Sequence, residues 1–310
     1  MERVADLGEA GVLSRIAPYC LAGMIGDDGA VLPGSQGSLI VTTDVLVENV
    51  HFSEQTTPPE SVGWRAAAAN LSDLAAMGCG DPLGLLVGLG MPGTTPVDWV
   101  EGLYGGMQDC CALYNTGILG GDLCRAPVRV VSITALGQGG GWIQRQGSRV
   151  GDWIVVTGWH GGSRAGLELL WRGEPERAPE LVQVHQYPCP RLDVVQKLVS
   201  LDMTGVIGGM DSSDGLADAL VQISERSGVG ILLEQLPVHP LLAQHFPDQA
   251  EQWTLFGGED FELVLSLPPP QAIQVLEQVK GCQKIGEVVS GHGVIWQGSP
   301  LERRGAFQHF

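Results

Sequence analysis

Hydrophobic residues in the first half of the chain follow two patterns in turn, one typical of strands and the other of helices. Residues 38–45 are largely β-branched and predict a buried strand. Residues 60–78 carry apolar side chains at helical spacing and end at Gly78, so they predict a helix. Further strands are predicted at 83–90, 117–121 and 128–137, and a further helix near 97–115. This alternation predicts an α/β fold.

Three consecutive glycines, 139–141, separate this half from a second α/β segment. The second segment is predicted to contain strands at 153–157, 229–234 and 261–267, and helices at 163–171, 190–200 and 214–227. With 310 residues, of which 44% are hydrophobic, the chain is long enough to form two cores. We therefore expect two α/β domains, 1–138 and 139–310.

The charge of the chain limits its partners. A formal net charge of −18 argues against nucleic acid and anionic membrane surfaces, because both require a positive surface on the protein. No apolar run reaches the ~18 residues that a membrane span needs, and the N-terminus does not resemble a signal peptide. The seven cysteines form no C-x-x-C motif and are expected to stay reduced. We expect a cytoplasmic protein.

Several common catalytic and nucleotide-binding motifs are absent from the sequence. There is no G-x-x-x-x-G-K-[ST] loop, no G-x-S-x-G elbow and no H-x-x-x-H zinc motif. None of the three lysines lies in a glycine-rich loop. A phosphate ligand would therefore be bound by metal ions, arginine side chains and backbone amides.

Short acidic clusters recur along the chain, and several of them contain hydroxyl side chains. The densest cluster is Asp211-Ser212-Ser213-Asp214-Gly215, which directly precedes a predicted helix. The other four are Gly26-Asp27-Asp28-Gly29, Thr42-Thr43-Asp44, Ser72-Asp73 and Gly120-Gly121-Asp122. Mg²⁺ prefers hard oxygen ligands of this kind and in turn binds polyphosphates. Five such clusters predict one shared pocket for metal ions and a polyphosphate.

Each of these features, taken alone, also has an ordinary structural explanation. Aspartates at a helix start can cap the helix. Asp27-Asp28 can form an Asx turn, and Gly121-Asp122 an ordinary turn at a strand end. A lone histidine in an apolar stretch, such as His51, is more often structural, and Arg145 by itself is more often a surface residue. Glu259 lies between glycines and acids, where it is either a charged loop tip or a ligand for an amine or ring nitrogen of a substrate.

Taken in chain order, the motifs resemble those of the thiamine-monophosphate kinase family. Its superfamily includes aminoimidazole ribonucleotide synthetase and selenophosphate synthetase. The matching segments cover nearly the whole chain: Leu7-Gly8-Glu9, Ile25-Gly26-Asp27-Asp28, Thr42-Thr43-Asp44, Val47 to Phe52, Asn70 to Gly78, Gly120-Gly121-Asp122, Arg145-Gln146-Gly147, Asp211 to Leu216 and Phe256 to Leu263. The chain departs from the family pattern at Asn49, Leu123 and Ser212, and Leu123 removes a hydroxyl group beside the expected phosphates.

The resemblance implies transfer of the γ-phosphoryl group of ATP to thiamine monophosphate, the last step of thiamine diphosphate biosynthesis. It implies a homodimer in which the first domains, 1–138, bind ATP and Mg²⁺ and share a β-barrel interface, while 139–310 completes the substrate site. By position, several Mg²⁺ ions would be bound by Asp27, Asp28, Thr42, Thr43, Asp44, Asp73, Asp122, Asp211 and Asp214. ATP would contact Tyr104, Gly121, Asp122, Arg145 and Ser213, and the acceptor would contact His51, Glu259 and Phe307.

Two other functions stay open at the level of the residues. Another ATP-dependent enzyme of the superfamily would use a different acceptor. The absence of a reactive Cys or Lys in a glycine-rich N-terminal segment disfavours selenophosphate synthetase, and His51 and the surroundings of Glu259 disfavour aminoimidazole ribonucleotide synthetase. A structural module would bind magnesium or nucleotide without releasing ADP. If the acceptor is a phosphate, it is already ionised near neutral pH, so we expect direct transfer without a general base.

Overall fold

The computed structural model describes Arg3, Asp6, Leu7 and residues 15–19, 39–203 and 205–302. The chain divides into two compact units. Unit 1 comprises Met1–Leu74 and Asp81–Gly139, and unit 2 comprises Ala75–Gly80 and Gly140–Phe310. Both units combine helices with a β-sheet, so the predicted α/β class is confirmed.

Unit 1 is built on a four-stranded sheet. Its elements are β1 Leu39–Val47, α1 Pro59–Ala76, β2 Asp81–Met91, α2 Val97–Ala112, β3 Ile118–Arg125 and β4 Val130–Gln138, with a short 3₁₀ turn at Ala17–Tyr19. The strand order is β1-β4-β2-β3, and only β2 and β3 run parallel. Among the described residues the outer strands β1 and β3 do not pair with each other, so the sheet is open. The expected barrel shared by two copies stays a prediction.

The sheet of unit 1 buries one face and leaves the other open. Leu46 of β1 and Ile133 of β4 are buried, together with Leu71 of α1 and Leu103 of α2. The alternate positions of β1, Leu39, Val41 and Val45, are 50%, 56% and 46% exposed. Because side chains alternate along a strand, these apolar residues share one face of the sheet.

Unit 2 is built on an eight-stranded mixed sheet of order β12-β11-β8-β10-β6-β9-β7-β5. The strands are β5 Ile143–Gln144, β6 Trp153–Val156, β7 Ile207–Asp211, β8 Gly230–Leu233, β9 Leu263–Leu267, β10 Gln283–Val289, β11 Gly293–Trp296 and β12 Ser299–Leu301. The helices are α3 Gly162–Arg172, α4 Pro179–Gln186, α5 Leu192–Ser200, α6 Leu216–Ser227, α7 Pro240–His245, α8 Ala250–Phe256 and α9 Pro269–Gln278. The apolar face of α6 packs on the sheet, with Leu220 and Ile223 in one core with Ile154 and Val264.

The long periodic segments follow the sequence predictions, whereas several short elements were not predicted. Strand β7 reads Ile-Gly-Gly-Met-Asp, and its two glycines weaken the strand signal. Helices α4 and α7 to α9 and strands β10 to β12 were also missed, because short segments carry too few apolar positions to establish a period.

No helix among the described residues combines the length and the apolar character that crossing a bilayer requires. The six cysteines in the described part of the chain form no disulfide. Cys79, Cys110 and Cys111 are buried, whereas Cys124 and Cys189 are exposed.

Helices α1 and α2 touch through their backbones at two glycines. A Cβ atom at Gly63 would lie 1.8 Å from the carbonyl oxygen of Leu103, and one at Gly106 would lie 1.8 Å from the carbonyl oxygen of Glu60. Both distances are much shorter than a van der Waals contact, so only glycine fits at these positions. The close crossing lets Leu103 and Met107 become fully buried.

We expect Gly106→Ala to lower the free energy of unfolding by about 3 kcal/mol, because the new methyl group forces the two helices apart. Gly105→Ala is the matched control, since a Cβ at that position meets only a ring carbon of Tyr19 at 3.8 Å. The control should be neutral or stabilising by about 0.5 kcal/mol. Urea denaturation measures both, and equal stabilities would contradict the close crossing.

Candidate active site

Polar side chains of β1 and α1 come together in unit 1. Thr42 and Asp44 lie on the face of β1 that is turned toward α1. The Thr42 hydroxyl donates a hydrogen bond to Oδ2 of Asp73, and the backbone N–H of Asp44 donates to Oδ1 of Asn70 at 3.2 Å. Nδ2 of Asn70 donates to the Ala66 carbonyl at 3.0 Å, which fixes the orientation of the amide. The result is a half-buried group of hydroxyl and carboxylate oxygens.

Two predicted metal ligands lie on the other face of this sheet. Thr43 points away from Thr42, and its hydroxyl donates to the Ile133 carbonyl at 2.9 Å. The strand register places Asp122 in one row with Val45, through β2 and β4, and residues in one row point to the same face. The side chains of Thr43 and Asp122 are therefore not brought to the group around Thr42.

Two predicted ATP contacts in unit 1 have clear structural roles. A Cβ at Gly121 would lie 1.8 Å from the Val87 carbonyl oxygen, so the close approach of β3 to β2 requires a glycine there. Tyr104 belongs to the core of the unit and is 2% exposed. Their contacts with ATP rest on the family resemblance.

His51 lies in a tight turn that follows β1. The backbone N–H of Val47 donates to Nδ1 of His51 at 3.0 Å, so a neutral imidazole carries its proton on Nε2. Arg129 holds the turn at both ends, because its guanidinium donates to Glu48 at 3.0 Å and to Glu54 at 2.9 Å. The turn therefore presents the imidazole in a defined tautomer.

The acidic cluster of unit 2 forms the first of two turns, between β7 and α6, which we call the Ser213 turn. Strand β7 is buried along its whole length and ends at Asp211. Gly215, with φ of 107°, allows the change of direction into the helix. Ser212 is turned inward and is 1% exposed, whereas Asp214 is exposed. The hydroxyl of Ser213 donates to Oδ1 of Asp211 at 3.3 Å, which repeats the hydroxyl–carboxylate pair of unit 1.

A second turn, 257–262, lies against the first. The backbone N–H of Glu259 donates to the Ser213 carbonyl at 2.7 Å. A Cβ at Gly258 would lie 2.8 Å from the same carbonyl oxygen. Glu259 and Phe261 have φ angles of 58° and 52°, in the left-handed region that non-glycine residues rarely adopt. Strained backbone of this kind concentrates at functional sites.

Buried polar residues that sequence analysis did not identify hold the first turn in place. The Ser212 hydroxyl donates to the Glu262 carbonyl at 3.0 Å and lies 3.0 Å from Nε2 of His160. The Glu262 carboxylate accepts from Arg191 at 2.6 Å and from the Thr157 hydroxyl. Burial raises the pKa of Glu262, and the charge of Arg191 opposes that shift. No local motif marks Arg191 and Glu262 as partners, because they are 71 positions apart.

Arg145 lies beside α6, the helix that begins after the Ser213 turn. Its guanidinium donates to Oε1 of Gln222 at 2.7 Å, and Nε2 of Gln222 donates to the Asp218 carboxylate. The Ser227 hydroxyl donates to the Arg145 carbonyl at 2.9 Å. Both the backbone and the guanidinium of Arg145 are therefore held along this helix.

Three predicted site residues, Asp27, Asp28 and Phe307, lie outside the described residues. Within the described ranges no three His, Cys, Asp or Glu side chains are arranged as a metal site. Each unit presents a carboxylate with a hydroxyl: Asp73 with Thr42 in unit 1, and Asp211 with Ser213 in unit 2. Each pair consists of hard oxygens and fits Mg²⁺ better than a metal that prefers sulfur or nitrogen.

Comparison with known proteins finds relatives that align with nearly the whole chain. Family models match twice: AIR synthase related protein, N-terminal domain, at residues 26–138, and AIR synthase related protein, C-terminal domain, at residues 149–297. The thiamine-monophosphate kinase of Synechococcus elongatus is 45% identical over 92% of this chain and 90% of its own length. The enzyme of the same name from Aquifex aeolicus is 34% identical over 99% of this chain and 100% of its own length.

Solved structures agree with the sequence relatives. AaThiL complexed with AMPPCP and TMP superposes with a TM-score of 0.81 at 32% identity, covering 100% of this chain and 99% of that one. HypE of E. coli, a hydrogenase maturation protein, has a TM-score of 0.77 at 22% identity, covering 94% of this chain and 98% of that one. At that identity the second likeness concerns the fold alone.

The buried His160 makes the stability of the fold depend on pH. Burial lowers the pKa of its imidazole to about 4, below the unfolded value of about 6.5. As the pH falls, the unfolded state therefore takes up a proton first, and stability is lost between pH 6.5 and pH 4. We expect this group to remove about 2 kcal/mol between pH 7 and pH 5. His160→Gln should lack that part of the loss in urea denaturation at each pH.

Comparing the wild type with His160→Gln isolates the contribution of His160 to the pH dependence of stability. Burial raises the pKa of Asp260 to about 7, so the folded state retains a proton there that the unfolded state releases. That contribution has the opposite sign, since it increases stability as the pH falls, but it is present in both proteins. Identical pH slopes for the wild type and His160→Gln would contradict a neutral, buried His160.

Proposed function

This chain belongs to the thiamine-monophosphate kinase family of AIR synthase related proteins, and on that basis we propose that it transfers the γ-phosphoryl group of ATP to thiamine monophosphate. The products are ADP and thiamine diphosphate, so the reaction is the last step of thiamine diphosphate biosynthesis, which we place in the cytoplasm. The observation that carries the proposal is a carboxylate–hydroxyl pair in each unit: Asp73 of α1 with Thr42 of β1, and Asp211 at the end of β7 with Ser213.

The acceptor supplies its own nucleophile. A phosphate oxygen of thiamine monophosphate is ionised near neutral pH, so no side chain has to remove a proton from it. The main obstacle is repulsion, since two unit charges ~4 Å apart repel by about 4 kcal/mol at an effective dielectric of 20. The protein therefore contributes position and compensating charge, as in other phosphoryl transfers.

Magnesium ions would be held by carboxylate and hydroxyl oxygens. Bound Mg²⁺ would supply positive charge to the phosphates of both substrates. We propose Asp44, Asp73, Asp211 and Asp214 as the core of the ligand set. Asp27, Asp28 and Thr42 complete the proposed set, whereas Thr43 and Asp122 lie on the opposite face of the sheet and are not assigned to it.

The remaining contacts orient the two substrates. Arg145 and Ser213 would bind phosphates of ATP, since a guanidinium and a hydroxyl both donate to phosphate oxygens. Tyr104, Gly121 and Asp122 complete the proposed ATP contacts. The Nε2–H of His51 would donate to the acceptor phosphate, and the Glu259 carboxylate would accept from an amine of the thiamine moiety. Phe307 is the third proposed acceptor contact.

The proposed reaction is tested by Asp73→Asn and Asp211→Asn. Each change keeps the size of the side chain and removes one carboxylate charge, so we expect kcat to fall by at least about a hundredfold with little change in melting temperature. Asp109→Asn is the control, because Asp109 is an exposed residue of α2 outside the proposed site. The assay measures ADP released from ATP, Mg²⁺ and thiamine monophosphate, and mass spectrometry identifies the product.

Turnover at the wild-type rate in either site variant would reject the assignment of that carboxylate. A phosphorylated enzyme trapped during turnover would reject direct transfer. ATP binding without ADP release in the presence of thiamine monophosphate would reject the proposed reaction.

We further propose that the open sheet face of unit 1 is the homodimer interface. Leu39, Val41 and Val45 of β1 lie on it, and Leu86 of β2, which is 38% exposed, belongs to the same face through the strand register. An apolar face of this kind is unfavourable in water. A second copy would bury it by packing the same face against it, since a two-fold dimer is self-complementary.

Val41→Asp should shift the dimer toward monomer, because burying an unpaired carboxylate at a sheet interface is strongly unfavourable. Leu113→Asp is the control, since Leu113 is 63% exposed and follows α2 instead of lying on the sheet. Sedimentation velocity over a range of protein concentrations measures the change. An unaltered dimer in Val41→Asp, or equal dissociation of both variants, would contradict this interface.

A further inference from the structure

We propose that Asp260 is a positioning residue, which holds Glu259 in the backbone conformation from which it contacts the acceptor. The proposal rests on the proposed function, because it takes Glu259 as an acceptor contact. Asp260 itself is 7% exposed and lies one residue beyond Glu259 in the turn 257–262.

The Asp260 carboxylate binds two backbone amides at once. Oδ2 accepts from the N–H of Gly161 at 2.7 Å, and Oδ1 accepts from the N–H of Ser163 at 3.0 Å. Both donors belong to the start of α3, where the amides have no partners within the helix and the helix dipole favours a negative charge. Because each oxygen has its own donor, the carboxylate is fixed in position and in rotation.

The backbone on both sides of Asp260 is in an unfavourable conformation. Glu259 has φ of 58° and Phe261 has φ of 52°, and neither residue is glycine. Such conformations persist only where the surroundings impose them. The paired hydrogen bonds of Asp260 and the N–H of Glu259 on the Ser213 carbonyl are the contacts that impose them here.

The same contacts determine the surroundings of the Glu259 side chain. Its Oε2 lies 4.0 Å from Nδ1 of His185, and its side chain is 35% exposed. Nδ1 of His185 is 3.0 Å from the hydroxyl of Ser163, the residue whose N–H binds Asp260. Asp260 therefore aligns the backbone of Glu259 with the buried imidazole beside its carboxylate, while one side of Glu259 stays accessible to a ligand.

The neighbouring Ser213 turn has anchors of its own besides the Glu259 N–H. The N–H and the hydroxyl of Ser212 both donate to the Glu262 carbonyl, at 2.9 Å and 3.0 Å. These bonds do not pass through Asp260. Loss of the Asp260 carboxylate should therefore disturb the proposed acceptor contact more than the proposed ATP contact.

Asp260→Asn and Asp260→Ser test this role by steady-state kinetics with each substrate varied in turn. Asparagine leaves one oxygen acceptor and turns an NH₂ group toward the second amide, and serine leaves one short acceptor. We expect KM for thiamine monophosphate to rise about tenfold, equivalent to about 1.4 kcal/mol, since only a fraction of the molecules would present Glu259 correctly. KM for ATP should change by less than about twofold.

Asp152→Asn is the matched control. Asp152 is a second buried aspartate of unit 2, 6% exposed, and accepts from the N–H of Arg149 at 2.9 Å and from the Ser266 hydroxyl at 3.0 Å. Its substitution changes a comparable buried, hydrogen-bonded carboxyl group away from the turn 257–262. It should lower the melting temperature without raising KM for thiamine monophosphate.

The outcomes separate this inference from the proposed function. A wild-type enzyme that releases no ADP with thiamine monophosphate defeats the proposed function and the inference together. If the wild type is active, unchanged KM for thiamine monophosphate in the folded Asp260 variants overturns the inference alone. Equal increases in KM for both substrates, or the same increase in Asp152→Asn, also overturn it, because they indicate a general loss of structure. A selective increase that Asp152→Asn lacks supports the positioning role.

Discussion

The hydrogen bond from the Glu259 amide to the Ser213 carbonyl joins the two turns on which the site of unit 2 depends. The sheet makes this bond possible, because β7 and β9 are antiparallel neighbours with Asp211 opposite Leu263. The turn that follows β7 and the turn that precedes β9 therefore meet at one edge of the sheet. Residues far apart in the chain become neighbours, and the position of each turn limits that of the other.

The buried charged groups of the core are neutralised, whereas the carboxylates of the proposed metal ligands are not. Inside unit 2, Glu262 is paired with Arg191 and His160 is held neutral, so the buried groups add little net charge. At the proposed metal ligands, Asp73 of α1 and Asp211 at the end of β7 each accept a hydrogen bond from a hydroxyl group. A hydroxyl orients a carboxylate without neutralising it. The carboxylates therefore keep the negative charge that a magnesium site requires.

Much of the fold was predictable where one element carries a long apolar period. Helix α1 and strand β1 appear close to their predicted limits, because each has enough apolar positions to establish its period. Strand β7 was missed, since its two glycines carry no side chains and its burial comes from neighbouring strands. The α1–α2 crossing could not be predicted either, because a glycine that permits backbone contact cannot be distinguished in sequence from one in a loop.

The sequence by itself determined the family resemblance, the α/β class and the acidic clusters, because these depend on residues that are close together in the chain. Only the tertiary structure decided which side chains meet. It separated Thr43 from Thr42 by strand alternation, and it brought Asp260 to the start of α3, 97 to 99 positions away. Hydrogen bonds over such separations depend on strand order and register. A linear pattern of residue types does not encode either property locally.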